Sequence, residues 1–74
     1  MSFTDRVALE LARAQTLYPP LHSAHEAYAV LAEELDEFWD QVRTQDVLRD
    51  RTAMLAELVQ IAAMAQRAAE DLGL

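Results

Sequence analysis

Glu33, Glu34 and Glu37 fall within the run Glu33-Glu34-Leu35-Asp36-Glu37, and Glu57 and Gln60 repeat the three-residue spacing further on. Acids three apart on a helix project to nearly the same side, so each pair makes a two-pronged oxygen clamp. Such oxygens suit a hard cation. Magnesium takes oxygen ligands in octahedral array and keeps waters or substrate phosphates in the remaining positions. Glu57 is the informative member, because it interrupts the apolar run Leu55-Ala56-Glu57-Leu58-Val59-Gln60-Ile61-Ala62-Ala63-Met64. An unpaired carboxylate among apolar side chains is costly. The chain has no lysine, and no arginine adjoins Glu57 in sequence. A divalent cation shared with the first acidic cluster would supply the missing partner. On residue type alone, Glu33, Asp36 and Asp40 read as a solvated acidic face.

The elements that must position these groups are helices. Ala, Leu, Glu and Gln dominate, all good helix formers, and no β-branched alternating run or Asn-Gly turn signals a strand. The single glycine and the two prolines punctuate: Pro19-Pro20 ends a first segment and Gly73 the last. The spacing predicts a first helix over roughly Phe3 to Leu17, capped by Ser2 or Thr4, with Phe3, Val7, Leu11, Ala14 and Tyr18 as its apolar stripe. A second helix opens at the capping-box pattern Ser23-Ala24-His25-Glu26 and runs to about Arg43. Its predicted apolar face carries Ala24, Tyr28, Leu31, Leu35, Phe38, Trp39 and Val42. Glu34 lies to one side of that face, beside Ala27 and Val30. After a short polar link around Thr44-Gln45-Asp46, a third helix starts at a cap provided by Asp46 or Asp50. It runs to about Leu72, with Met54, Leu58, Ile61, Ala65, Ala68 and Leu72 as its stripe and Gly73 as its left-handed cap. A link this short predicts an antiparallel hairpin of the second and third helices. That hairpin would set Glu34 and Glu37 opposite Glu57 and Gln60.

Seventy-four residues make one domain, residues 1–74. A chain of this size buries only about 60% of its unfolded surface. Without cysteine it has no disulfide or thiolate–metal staple, so assembly of copies into a larger helical bundle is the remaining route to stability. The absence of cysteine also fits a cytoplasmic protein. Met1-Ser2-Phe3-Thr4-Asp5 lacks the basic start of a signal peptide, and no apolar segment is long enough to span a membrane. Thirteen acidic residues against six arginines argue against a nucleic-acid backbone as main partner.

The first acidic run resembles the EExxE motif of MazG-like nucleotide pyrophosphohydrolases, the all-α NTP pyrophosphatase superfamily. Glu57-Leu58-Val59-Gln60 resembles its second motif, ExxD. The runs His25 to Trp39 and Gln60 to Ala65 are similar to a small bacterial and phage branch of that superfamily, and the likeness covers about His22 to Leu72. The resemblance implies magnesium-dependent hydrolysis of a nucleoside triphosphate to the monophosphate and pyrophosphate by an α-helical homodimer or homotetramer. Manganese could replace magnesium. It implies Glu34, Glu37 and Glu57 as metal ligands, joined by Gln60, with Glu33 or Glu37 accepting a proton from the attacking water. Gln60 departs from the pattern, which has Asp there. An amide oxygen can ligate but carries no charge, so metal affinity should fall. That departure also implies a second reading: the same fold as a non-catalytic module for assembly or partner binding.

Arg43, Arg49 and Arg51 are the only clustered cations and could meet phosphates, although solubility is the ordinary role of such groups. His22 and His25 read as capping or surface groups rather than zinc ligands. Phe38 and Trp39, at helical spacing with Leu35 and Val42, read as core or dimer contacts rather than base-stacking groups, and Tyr28 reads the same way. Met54 and Met64 read as core fillers. No glycine loop cradles phosphate, and no serine or cysteine nucleophile is available.

Overall fold

A computed structural model describes residues 1–44 and 46–74. It contains three α-helices, α1 (Phe3–Leu17), α2 (Ala24–Val42) and α3 (Arg51–Asp71), with a 3₁₀ turn at Asp46–Leu48 and no strand among the described residues. None of these helices is long and apolar enough to cross a membrane. Gln45, in the predicted link, lies outside the described residues.

Local chemistry sets the boundaries. Ser2 caps α1: the Asp5 backbone N–H donates to Ser2 Oγ at 3.0 Å, and the Ser2 N–H donates to Asp5 Oδ2 at 3.2 Å. This reciprocal box was expected at Ser23–Glu26. There the Glu26 N–H donates to Ser23 Oγ at 3.0 Å, and no return bond to Glu26 accompanies it. Tyr18 is extended, as residues before proline are, so α1 stops there. Asp50 resolves the open choice of third cap, accepting from the Ala53 N–H at 3.0 Å. Gly73 has φ +69°, a left-handed conformation that suits the residue after a helix end.

α3 is the shared partner, packing against both α1 and α2. One core cluster joins Leu11 and Ala14 of α1 to Ala63 and Met64 of α3, with Val7, Val30 and Leu31 against it. A second joins Leu21, Ala27 and Ala68, with Val30 and Leu72. Val30 therefore touches both. Half of the buried apolar positions are alanines, and no large side chain is fully buried among the described residues. Each larger buried group (Leu11, Leu21, Val59 and Met64) contributes about 1.5–3 kcal/mol.

The stripes differ from those expected. On α2 the inward side is Ala27, Val30 and Leu31, whereas Tyr28, Leu35 and Trp39 are exposed. On α3 the buried residues are Val59, Ala63, Met64, Arg67 and Ala68, while Leu58 and Ala65 face outward. A helix that packs on two neighbours has no single stripe, so its periodicity misplaces the inward side. Phe3 and Tyr18, at the two ends of the α1 stripe, are also exposed.

Arg67 is buried and ties the Pro19-Pro20 crossover to α3. Its Nη2 donates to the Pro19 carbonyl at 2.8 Å. Asp71 lies 3.6 Å from Arg67 Nε and accepts the Leu21 N–H at 2.8 Å. Nη1 reaches Met64 Sδ at 3.7 Å, and the guanidinium sits 5.8 Å from the Tyr18 ring centre.

Candidate metal centre

Val30, which reaches both core clusters, fixes which side of α2 is inward. Glu34 follows it one helical turn later and Glu37 three residues after that. Glu34 is therefore half-buried, while Glu37 is exposed. From α3, Glu57 lies nearly two turns before Ala63 and Met64 and is also half-buried. Each of the three carboxylates offers an oxygen, and these oxygens all lie within 4.8 Å of one another.

Two of the oxygens are stranded. Glu34 Oε2 and Glu57 Oε2 are buried and have no hydrogen-bond partner. Carboxylates can bond to one another only when one keeps its proton; fully ionised, each is an acceptor without a donor. Burial, then the charges of Glu37 and Glu57, push the Glu34 carboxyl up to about 7. Burial, then Glu37, pushes Glu57 up as well. Near neutral pH the group thus resists full ionisation, and a proton or a cation relieves it. The donor set, hard oxygens from three carboxylates, fits a divalent cation of the magnesium or manganese kind.

Beside Glu34, the one member of the three that lines it, a cavity of about 430 Å³ opens between the helices. Glu33 and Glu34 line it from α2, Gln60, Met64 and Arg67 from α3, and Glu10 and Arg13 from α1. Glu33 is exposed and outside the three-carboxylate group. Gln60 lines the cavity next to Glu10; Arg13 foremost, and a hydrogen bond from Gln60, hold the Glu10 carboxylate below its ordinary range.

The structure does not bring Arg43, Arg49 and Arg51 to this cavity. Arg43 pairs with Asp40 at 2.8 Å on the surface. Arg49 donates to the carbonyls of Thr44 and Val42 at 2.9 and 2.6 Å, and Arg51 is the exposed first residue of α3. The arginines in the cavity wall are Arg13 and Arg67. Sequence reasoning passed over both. The i,i+4 pair Arg67/Asp71 and the i,i+3 pair Glu10/Arg13 were the only signals for them.

No protein-family model, curated protein or solved structure matches the chain.

Proposed function

We propose that the chain is a magnesium-dependent nucleoside triphosphate pyrophosphohydrolase of the MazG-like kind, releasing a nucleoside monophosphate and pyrophosphate, in the cytoplasm and as a homodimer or homotetramer. The observation that carries this reading is the convergence of Glu34, Glu37 and Glu57 with two buried, unpartnered oxygens. An antiparallel α2–α3 hairpin accounts for that convergence, and the packing of Ala27 near the start of α2 with Ala68 near the end of α3 supports it.

Glu34, Glu37 and Glu57 would hold the cation, with Gln60 as a neutral fourth donor. Magnesium, when bound, supplies charge neutralisation of the polyphosphate and a more acidic water. Glu33, exposed at the cavity, or Glu37 would accept the proton of the attacking water. Arg13, held on the cavity wall by Glu10, would face the substrate's phosphates in place of the more distant Arg43, Arg49 and Arg51.

Incubation with a panel of nucleoside triphosphates and magnesium or manganese should release pyrophosphate, and Glu57→Ala should abolish the release. No release above background for any nucleotide would defeat the enzyme reading. One observation favours the alternative, a non-catalytic assembly or binding module: Gln60 stands where the resemblance calls for Asp and lines the cavity together with Glu10.

A further inference from the structure

A second cavity, of about 340 Å³, opens between α1 and α3. Arg6, Leu9 and the Glu10–Arg13 pair line it from α1, and Ala56, Val59 and Gln60 line it from α3. At about 100° per residue, Arg6, Glu10 and Arg13 project to nearly one side of α1. Glu10, Arg13 and Gln60 also line the larger cavity, so they form a wall common to both. Arg6 belongs to the second cavity alone, and neither Glu34 nor Glu57 lines it.

Arg6 is half-buried. Its guanidinium has no hydrogen-bond or ion-pair partner among the described residues. The neighbouring acids are spent elsewhere. Glu10 lies four residues on, a spacing that pairs charges on a helix. Both its oxygens instead accept from Arg13 Nε, at 3.1 and 3.0 Å. Asp5 accepts from the Ser2 N–H at the helix start. Glu57 adjoins Ala56 in sequence, but its carboxylate gathers with those of Glu34 and Glu37. The second cavity therefore carries one unanswered positive charge, in a chain whose formal charge is −7. The rest of its wall is neutral and mostly apolar. Val59, 5% exposed, is buried beneath it, and Leu9, 57% exposed, stands at its rim.

We propose that this cavity binds an organic monocarboxylate with a short apolar tail. Arg6 takes the carboxylate, and the tail lies against Leu9, Ala56 and Val59. The charges select the head group. One spare guanidinium answers one negative charge, and its planar fork donates two parallel bonds to a carboxylate. A phosphate dianion asks for a second cation, and Arg13 is already committed to Glu10. The apolar wall selects the remainder, since covering it removes hydrocarbon surface from water. A cavity this small limits the tail to a few carbons. The site stands apart from any hydrolase role, because it uses none of the three clustered carboxylates.

Titration calorimetry of the full chain with octanoate, without divalent cations, should show saturable binding. Octanamide, the uncharged analogue, and Arg6→Gln titrated with octanoate should each bind about tenfold more weakly. Acetate should lose a similar factor, because it lacks the tail. Glu57→Ala should bind octanoate as the wild type does, which separates this site from the metal centre. In amide NMR spectra, octanoate should shift Leu9, Val59 and Gln60. Absence of saturable binding overturns the proposal, as does octanamide binding equal to that of octanoate. The octanamide comparison uses the wild-type chain and decides the matter if Arg6→Gln fails to fold. A folded Arg6→Gln that binds like the wild type is equally fatal. So are inorganic phosphate binding tighter than octanoate and shifts confined to Tyr28, Leu35 and Trp39, the exposed apolar groups of α2.

Discussion

Two charge clusters sit at different levels of the same helix, α3, and they are built on opposite terms. Around Arg67 every charge is answered: the Pro19 carbonyl, Asp71, the Met64 sulfur and the Tyr18 ring surround the guanidinium. Around Glu57 three acids face one another and two oxygens have nothing to accept from. The first arrangement spends its polar groups on holding the chain together. The second leaves them available, at a cost to the fold. A protein selected for stability alone would have put an amide or an apolar group at Glu34 or Glu57. The contrast sets a charge that ties the chain together beside one that the proposed metal centre would use.

The largest effect should come from breaking the satisfied cluster. Arg67→Ala removes the tie to Pro19 and leaves Asp71 uncompensated, so it should destabilise the chain by about 3–5 kcal/mol in chemical denaturation. An effect below about 1 kcal/mol would show that the tie is incidental. The unsatisfied cluster should behave in the opposite way. Glu34→Gln should stabilise the metal-free chain by about 1–2 kcal/mol, since it removes a disfavoured charge, and it should weaken the rise in melting temperature on adding magnesium or manganese. Glu57→Ala should abolish that rise. An equal rise in Glu57→Ala and wild type would contradict the metal centre.

The pH response is a smaller effect of the same origin. Glu34 has a folded-state value raised to about 7, above its ordinary range. The folded chain therefore holds a proton that the unfolded chain releases, and stability is lost as pH rises from about 5 to about 8. Without divalent cations the melting temperature should fall across that window; a rise would reverse the assignment. Gln60→Asp should then tighten manganese binding, read by titration calorimetry, and weaker binding would remove residue 60 from the ligand set. Smallest of all, Arg43→Ala should change stability by less than about 0.5 kcal/mol, because its pair with Asp40 is solvated.

Much of the architecture was legible. Ser23 announced one helix start and the pair Ser2 or Thr4 another, Pro19-Pro20 the first break and Gly73 the last end, because capping and φ restriction are local effects. The convergence of Glu34, Glu37 and Glu57 was legible from spacing and from the apolar setting of Glu57. Packing direction was less so. α2 carries apolar residues on two adjoining sides, and periodicity alone could not tell that Ala27 and Val30 face α3 while Leu35 and Trp39 face out. Alanine is the difficulty: it reads as neutral in sequence, yet Ala14 and Ala63 are among the most buried residues of the chain. Arg67 was hidden for a related reason, since a buried arginine needs a carbonyl 48 positions away that no local pattern reveals.

Those alanines have a mechanical consequence. At a contact made of methyl groups, the distance between helix axes is set by the backbones themselves. Ala14 and Ala63 thus act as a gauge for the gap in which the 430 Å³ cavity lies. Adding bulk at Ala63, which does not line the cavity, would jack α1 away from α3 and widen the chamber beside Glu34 without touching a carboxylate. The width of that cavity is therefore set by the chain's smallest side chains rather than by its charged ones.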